Sequence, residues 1–266
     1  MANPTLTPTE PTQAEPVQVE PIQVEPVQVE PIGIVQSPFK QKFGIPRQPG
    51  LAKHASACIE IAPKYARPEA FEGIEQYSHL WIEFYFHQTA SDDWKPSVRP
   101  PRLGGNQKLG CFATRTNFRP NNLGLSVVRF DKLEVHQNGI RLHISGHDLL
   151  DQTPIIDIKP YIPYSDSVIT ATAGDFEQAP ATSLHVCFTG TSEAQLKTLA
   201  ASHPDLKTLI EEIISQDPRP AYMKVKANRD EFTVRLYDFD IKWQVSGQTA
   251  NILAIQPLNS PLPNNP

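Results

Sequence analysis

The residues best suited to bind a charged ligand lie between Arg99 and Arg129. This stretch has six basic residues and no Asp or Glu, whereas the whole 266-residue chain has a formal net charge of -5. The basic residues are Arg99, Arg102, Lys108, Arg115, Arg119 and Arg129. A local positive surface on an acidic protein favours a specific anionic ligand. The Gly, Asn and Pro residues between the cations suit irregular backbone close to that ligand.

The spacing of other reactive residues argues against several kinds of site. Lys108 is followed by Leu-Gly rather than by Ser or Thr, so the nearby glycines do not form a P-loop. No Gly-x-Ser-x-Gly string occurs, which excludes the nucleophile elbow of α/β-hydrolases. Neither His87 nor His147 is accompanied by a Cys pair at metal-ligand spacing. We therefore expect structural histidines and no metal site.

The first thirty residues differ in composition from the rest of the chain. They contain five Glu and no Lys or Arg, and a proline follows Glu15, Glu20, Glu25 and Glu30. Regularly spaced prolines prevent a helix and remove donors from a strand. Residues 1–30 are therefore predicted to be a disordered tail that acts as a spacer, with a docking role as the alternative. Residues 259–266 are predicted to be a second disordered tail.

The cysteines and the apolar runs indicate a compartment. Cys58, Cys111 and Cys187 form no C-x-x-C pair, which argues against a disulfide framework and for a reducing environment. No basic region precedes an apolar run at the N-terminus, so no signal peptide is predicted. The longest apolar run, around residues 80–86, is interrupted by Glu83 and is too short to span a bilayer. We expect a cytoplasmic protein with no membrane contact.

The segments that must position the basic residues have the pattern of strands. Apolar residues recur mostly at period two between Ile32 and Leu150, and Gln137-Asn-Gly139 has the residues of a hairpin turn. Many short strands with Gly and Pro turns, without βαβ alternation, predict a compact, non-Rossmann β-barrel over residues 31–165. A short helix is expected at residues 67–74.

The remainder of the chain is predicted to form a linker at 166–182 and a small α+β domain at 183–258. Ser192-Glu-Ala-Gln195 is typical of a capping box that opens a helix. A second helix beginning near Pro204 is expected to place Leu and Ile side chains on one face. Strand patterns then return at 231–237, 241–245 and 252–255, so the fold class is mainly β with an appended α+β domain.

A set of specific strings runs through both predicted domains. The strings are Pro46-Arg-Gln-Pro-Gly-Leu51, Phe71-x-Gly-Ile-Glu-x-Tyr-Ser-His-Leu-Trp81, Phe86-His-Gln88, Arg99-Pro-Pro-Arg-Leu-Gly-Gly-Asn106, Phe112-Ala-Thr-Arg-x-x-Phe-Arg-Pro-Asn121, His147-Asp-Leu-Leu-Asp151, Thr153-Pro-Ile-Ile-Asp-Ile-Lys-Pro-Tyr161 and Gln216-Asp-Pro-Arg-Pro-Ala-Tyr222. Together they closely resemble the TrmO (YaeB) family of tRNA methyltransferases. The resemblance implies a β-barrel enzyme that uses S-adenosylmethionine to methylate the exocyclic amine of a threonylcarbamoylated adenosine beside the anticodon. It also implies a homodimer with the cofactor near the interface.

The resemblance further implies which residues line the cofactor pocket. They are Pro49, Gly50, Leu51, His87, Gln88, Arg115, Leu125, Asp148, Leu149, Leu150 and Asp151. Arg115 suits a bidentate contact with the cofactor's carboxylate. Asp148 or Asp151 would accept hydrogen bonds from the ribose or the amino group while Leu149 and Leu150 cover the adenine. Turn and cap chemistry is the alternative role of both Asp residues.

The same stretch is expected to meet the anticodon loop of tRNA, whose splayed bases and phosphates match guanidinium groups and aromatic faces. The candidate RNA-binding residues are Arg99, Arg102, Lys108, Phe118, Arg119, Asn121, Arg219, Tyr222 and Lys224. Lys226 is interpreted as an ordinary surface charge.

Two positions in the family strings have less certain roles. Asp157 is a candidate acceptor for the amine proton, and its alternative is a salt bridge with Lys159 or a nearby arginine. Asn122 stands where the family commonly has a proline, so the loop around it is expected to be less rigid.

Two other functions remain open from sequence alone. One is an RNA-binding adaptor whose barrel has lost catalysis. The other is a methyltransferase of the same fold that acts on a different substrate.

Overall fold

The structure, a computed structural model, describes residues 25–89, 94–180, 182–219 and 231–258. Its strands are β1 (Gly33–Gln36), β2 (Ser56–Ile61), β3 (His79–Tyr85), β4 (Ser97–Val98), β5 (Leu109–Gly110), β6 (Leu123–His136), β7 (Gly139–Ser145), β8 (Pro154–Pro160), β9 (His185–Phe188), β10 (Glu231–Leu236), β11 (Phe239–Ser246) and β12 (Thr249–Pro257). The α-helices are α1 (Pro163–Asp166), α2 (Gly190–Leu199) and α3 (Leu206–Ser215). Short 3-10 turns occupy Pro68–Phe71, Ile74–Gln76, Pro101–Leu103, Cys111–Ala113 and Gly174–Phe176.

Six strands close into a barrel in the order β1-β2-β7-β6-β3-β8. Every neighbouring pair is antiparallel, as expected for a chain without βαβ units. The inward residues of β3, Leu80, Ile82 and Phe84, are buried in the barrel core, and the residues between them face outward. This period-two burial confirms the predicted mainly β, non-Rossmann fold. The predicted hairpin is also present, because β6 and β7 pair from His136 opposite Gly139.

A close approach inside the barrel explains one glycine. A Cβ atom placed on Gly124 of β6 would lie 2.3 Å from the ring of Phe84, which is far inside van der Waals contact. The glycine therefore leaves room for the end of the Phe84 ring against β6. This packing fixes β3 against β6 at the end of the barrel where both strands enter the long loop between them.

The second unit is a four-stranded sheet of order β10-β11-β12-β9, in which β9 runs parallel to β12. Helix α3 buries one apolar face on this sheet, as its sequence pattern predicts. The buried residues are Leu206, Leu209, Ile210, Ile213 and Ile214. Phe39, from the segment after β1, packs into the same core and bridges to Leu236, so the two units share apolar contacts.

Two local predictions are wrong. The predicted helix at 67–74 is instead two 3-10 turns. The capping box predicted at Ser192 is not the start of α2, since Thr189 is the N-cap and accepts from the Ser192 amide at 3.3 Å. Ser192 lies inside the first turn, and its hydroxyl donates to the carbonyl of Ile252 at 2.8 Å. The side chain thus ties α2 to β12 instead of capping the helix.

Asn122 forms a defined turn. Its φ is +50°, a left-handed value that Asn adopts readily and that proline cannot reach. Its amide donates to the carbonyl of Arg119 at 3.2 Å, and its own carbonyl accepts from the Phe86 amide at 2.8 Å. Asparagine therefore allows a backbone conformation that proline could not adopt here, and both its amide and its carbonyl are hydrogen-bonded.

Candidate functional site

Two glycine-containing loops meet at one end of the barrel. The amide of Gly50 donates to the carbonyl of Gly146 at 2.7 Å, and these residues have φ values of +79° and +70°. Both conformations are left-handed and favour glycine. The contact brings the Pro46–Leu51 string against the turn that follows β7, where the His147–Asp151 string begins.

Arg115 joins this pair of loops from the long β3–β6 connection. Its Nη1 donates to Oε1 of Gln48 at 2.6 Å. Its positive charge also acts to lower the pKa of Asp148, which places the two groups within electrostatic reach. The Arg115 side chain is otherwise exposed, and among the described residues its remaining guanidinium donors have no hydrogen-bond partner.

Asp148 is a partly buried carboxylate with an unusual ionisation. Burial raises its pKa to about 6, against the opposing effects of a hydrogen bond from Ser126 and of the Arg115 charge. The Ser126 hydroxyl donates to Oδ1 at 2.6 Å, from a position on β6 that faces the barrel interior. A carboxylate in this setting gains more from a ligand's hydrogen-bond donor or cation than an exposed one does.

His87 and Gln88 lie in the turn after β3, where His87 is within electrostatic reach of Asp151. Lys42 donates from Nζ to the carbonyl of Gln88 at 3.1 Å. Burial and the nearby Lys42 charge lower the pKa of His87, and Asp151 opposes this effect. The imidazole is therefore neutral at neutral pH and presents one donor and one acceptor.

Asp151 and Leu149 are engaged in holding the loop together. Asp151 accepts from the Ser37 amide at 2.8 Å and forms a salt bridge with Lys40, also at 2.8 Å. The Leu149 side chain is 1% exposed and packs in the barrel core. The cap-like role that the sequence left as an alternative for Asp151 is thus present, and Leu150 keeps a partly exposed side chain.

His147 is a structural histidine in its observed contacts. Its Nδ1 accepts from the Leu149 amide at 3.1 Å, and its ring packs edge-on against Phe39. Complete burial lowers its pKa to about 4. Within the described ranges, no group of three or more His, Cys, Asp or Glu side chains is arranged to hold a metal ion.

Asp157 and Leu125 lie on the outer face of the barrel. Both pair with Glu83 of β3, one from β8 and one from β6. Asp157 forms a 2.6 Å salt bridge with Lys159, the alternative role that the sequence offered. Leu125 is 52% exposed, and its neighbour Ser126 faces inward toward Asp148.

The candidate RNA-binding residues fall into two groups by their contacts. Arg99, Lys108 and Asn121 are exposed. Arg102 donates to the carbonyl of Gln178, and Arg119 donates to the carbonyl of Thr114 at 2.9 Å. The described part of the chain contains no salt bridge between a carboxylate and any cation from Arg99 to Arg119.

The candidates in the second unit have a different setting. Arg219 donates to both carboxylate oxygens of Asp217, at 2.7 and 3.0 Å, and its side chain is 14% exposed. Tyr222, Lys224 and Lys226 lie outside the described residues. Their roles stay predictions.

A groove of about 330 Å³ lies between the barrel and the second unit, next to Asp151 and its partners Ser37 and Lys40. Its lining includes Lys40, Cys58, His143 and Tyr237. Burial raises the pKa of the Cys58 thiol, so that group is a poor nucleophile at neutral pH. The groove therefore offers binding surface without an activated reactive group.

Sequence reasoning missed the residues that connect the site. Lys42, Gln48 and Ser126 each reach a candidate residue through a side-chain hydrogen bond. Nothing in their spacing signals this, because the partners are 46, 67 and 22 positions away. The exposed aromatic pair Trp94–Phe112 was also missed, although its position in and beside the basic stretch offered a signal.

Comparison with known proteins divides the chain into the same two units as the structure. A model of the tRNA-methyltransferase O N-terminal domain matches residues 34–167, and a model of the TrmO C-terminal domain matches residues 181–258. The chain belongs to the TrmO family. The predicted family membership is therefore confirmed.

Individual relatives cover most of the chain. A tRNA (adenine(37)-N6)-methyltransferase from Escherichia coli is 44% identical over 225 residues, which span 85% of this chain and 96% of that protein. A putative S-adenosylmethionine-dependent methyltransferase, RcsF, from Pseudomonas aeruginosa is 46% identical over 79% of this chain and 89% of its own. The crystal structure of TrmO from Pseudomonas aeruginosa superposes with a TM-score of 0.73 at 37% identity, covering 88% of this chain and 99% of that one.

Proposed function

We propose that this protein transfers a methyl group from S-adenosylmethionine to the exocyclic N6 amine of a threonylcarbamoylated adenosine beside the anticodon of tRNA. The observation that carries the proposal is the convergence of four separate segments, residues 46–51, 87–88, 115 and 146–151, at one end of the barrel. Relatives in the same family are named as tRNA adenine N6-methyltransferases, which supports the reaction class.

The chemistry of the site fits the cofactor. S-adenosylmethionine carries a carboxylate, a ribose diol, an adenine and a sulfonium that supplies the methyl group. Arg115 has free donors for the carboxylate. Asp148 is a desolvated acceptor for ribose hydroxyls or the cofactor's amino group, and the partly exposed Leu150 side chain suits an apolar ring. Pro49, Gly50 and Leu51 form the loop beside them.

The chain's contribution to methyl transfer is chiefly alignment. Transfer to an aromatic amine needs the nitrogen, the methyl carbon and the sulfur in line more than it needs a strong base. The His87 ring is neutral and partly buried, and Lys42 holds the backbone of Gln88 next to it. Asp157, paired with Lys159 on the outer face, would accept the amine proton only if that ion pair opened.

The substrate surface is the long loop between β3 and β6. Residues 94–122, called here the basic loop, present exposed cations to an anionic ligand. Asn117 of this loop donates to the Thr89 hydroxyl at 2.9 Å, which fixes the loop to the turn carrying His87 and Gln88. An RNA held by the basic loop would therefore lie next to the cofactor residues.

The position of Leu125 supports a homodimer. Leu125 points away from the barrel interior, whereas Asp148 is bonded to the inward-facing Ser126. Leu125 and Ser126 lie on opposite faces of β6, so within one copy Leu125 does not line the pocket that contains Asp148. A second copy placed over β6 would let Leu125 complete the partner's site and would cover the exposed Leu123 and Leu125 side chains.

The proposal also places the protein in the cytoplasm, where tRNA is modified. No helix in the described residues is long and apolar enough to cross a membrane.

Nucleoside analysis tests the proposed reaction. The purified full chain is incubated with S-adenosylmethionine and with tRNA that carries or lacks the threonylcarbamoyl group, and the digested nucleosides are analysed by mass spectrometry. A methyl group on the threonylcarbamoylated adenosine alone is the expected result. Methylation of both tRNAs would contradict the assigned substrate. No methylation, together with no rise in melting temperature on adding the cofactor, would favour the adaptor.

A further inference from the structure

Two aromatic rings stack on each other at the surface of the basic loop. The ring centroids of Trp94 and Phe112 are 5.9 Å apart, with an interplanar angle of 30°. Phe112 is 74% exposed and Trp94 is 41% exposed. Single exposed apolar side chains are common, but these two rings are adjacent and form a contiguous apolar surface, which is the kind that marks an interaction site.

The position of Phe112 is fixed by the turn that carries it. Phe112 lies in the 3-10 turn Cys111–Ala113. Cys111 beside it is 1% exposed, and its thiol contacts the carbonyl of Phe118 at 3.5 Å. Burial of Cys111 therefore fixes the turn, and the Phe112 ring points outward from it.

Cations lie over the aromatic rings of this surface. The Arg119 guanidinium is 5.9 Å from the Phe112 centroid and is fixed by its hydrogen bond to Thr114. Lys95 Nζ lies 4.3 Å above the Phe118 ring. Aromatic faces interleaved with cations are the arrangement by which proteins hold single-stranded nucleic acid, because bases stack on the rings while phosphates meet the charges.

Tyr164, another exposed aromatic residue, does not share this setting. Tyr164 is 90% exposed, but it lies in α1, after the end of β8 where Pro160 pairs with Leu80. The basic loop joins the opposite end of β3, beyond Tyr85. Protein–protein interfaces are depleted of Lys, so Lys95 over the Phe118 ring favours an RNA ligand over an apolar protein partner.

We propose that Trp94 and Phe112 form a stacking platform for an unpaired base of the tRNA anticodon loop. The inference rests on the proposed function and deepens it, because it names the part of the RNA that this surface recognises. The platform selects unpaired over paired RNA, since bases inside a duplex have no free face to offer. Lys95 and Arg119 hold the flanking phosphates.

Binding of labelled RNA to the full chain tests the platform. The probes are a stem-loop RNA with an unpaired loop and a fully paired duplex of the same length. Phe112→Leu removes the aromatic face and keeps an apolar side chain, and we expect stem-loop affinity to fall about tenfold, within the range of one lost base-stacking contact. The matched control Tyr164→Leu is expected to leave both affinities unchanged.

The results separate the platform from its alternatives. Equal stem-loop affinity of wild type and Phe112→Leu would overturn it, and so would equal loss of stem-loop and duplex binding, which indicates phosphate contacts alone. A change of oligomeric state in Phe112→Leu with unchanged RNA affinity would show that a second copy covers the rings. Quenching of Trp fluorescence by the stem-loop in wild type but not in Trp94→Phe would support the platform.

RNA binding and methylation measured together distinguish failure of the platform from failure of the proposed reaction. Wild-type protein that binds the stem-loop through Phe112 but methylates no tRNA would contradict the reaction and retain the platform. Wild-type protein that methylates tRNA with an unchanged KM in Phe112→Leu would retain the reaction and contradict the platform.

Discussion

Arginines differ in their partners and exposure between the basic loop and the second unit. Arg219 and Arg235 form two-point ion pairs with Asp217 and Asp240 and have little exposed surface. In the basic loop, no arginine is paired with a carboxylate among the described residues, and Arg99 and Arg115 are exposed. The donors of a paired, buried arginine are already taken up by its carboxylate, whereas an exposed arginine without such a partner keeps its donors for a ligand. The number of charges in a segment therefore does not by itself locate a binding site.

The largest effect on stability is expected in the second unit. Arg235→Ala leaves the Asp240 carboxylate without its two-point partner across the β10–β11 hairpin. We expect a loss of about 3 kcal/mol in the free energy of unfolding, measured by urea denaturation. Arg99→Ala is the control and should change stability by less than about 0.5 kcal/mol. Equal losses of unfolding free energy in Arg235→Ala and Arg99→Ala would contradict this difference between the two regions.

The largest effect on ligand binding is expected in the basic loop. Arg115→Ala removes the guanidinium beside Asp148 and Gln48, and we expect the Kd for S-adenosylmethionine to rise about 10- to 100-fold, as for a lost charge-assisted hydrogen bond. Calorimetric titration measures this directly. Unchanged unfolding free energy in the same variant would show that Arg115 contributes to ligand binding and not to the stability of the fold. Wild-type affinity would show that Arg115 does not bind the cofactor.

A smaller effect should appear in the pH dependence of cofactor binding. Affinity is expected to fall below about pH 6, where Asp148 takes up a proton and loses its charge. The Ser126 hydrogen bond lowers this pKa, so Ser126→Ala should move the midpoint of the profile to higher pH. Ser126→Thr keeps the hydroxyl and should restore the wild-type midpoint. A profile that is flat between pH 5 and 8, the range that brackets this pKa, would exclude Asp148 as the acceptor.

The ionisation of Asp148 also affects folding. Its pKa is raised in the folded protein, so its contribution to stability is present below the ordinary value of 3.8 and is lost as the pH rises through about 6. Asp148→Asn should therefore be more stable than wild type at pH 8 without ligand, by on the order of 1 kcal/mol. A less stable variant would mean that the carboxylate supports the fold.

The smallest effect is expected at Asp157. Its carboxylate is exposed and paired with Lys159, so Asp157→Asn removes a surface salt bridge of about 0–1 kcal/mol. We expect kcat to change less than about twofold at saturating tRNA, because exposed ion pairs contribute little. A large loss of kcat with an unchanged KM would instead identify Asp157 as the proton acceptor.

The barrel was largely predictable because its strands bury alternate residues. β3 and β7 follow that rule, and the residues of the β6–β7 turn mark the hairpin. β8 and β9 were missed as strands. β8 carries Asp157 and Lys159 on its exposed side and ends at Pro160, and β9 is short and only partly buried. Such strands are defined by their neighbours more than by their own residues.

The candidate site was predictable as a set of residues but not as an arrangement. Family resemblance named Gly50, Arg115 and Asp148 without indicating how they meet. The contacts that join them, such as Gln48 with Arg115 and Gly50 with Gly146, depend on tertiary folding between distant segments. Whether a candidate RNA-binding cation is paired with a carboxylate also depends on the fold, as the Arg219–Asp217 pair shows.

Hydrogen–deuterium exchange of the full chain with S-adenosylmethionine tests whether the cofactor binds at this end of the barrel. We expect slower exchange in residues 46–51, 87–88 and 146–151, with added protection of the basic loop when tRNA is present. The β10–β12 sheet should show no comparable change. Cofactor protection confined to that sheet, or to the groove at Cys58 and His143, would contradict the assignment of the site to the end of the barrel.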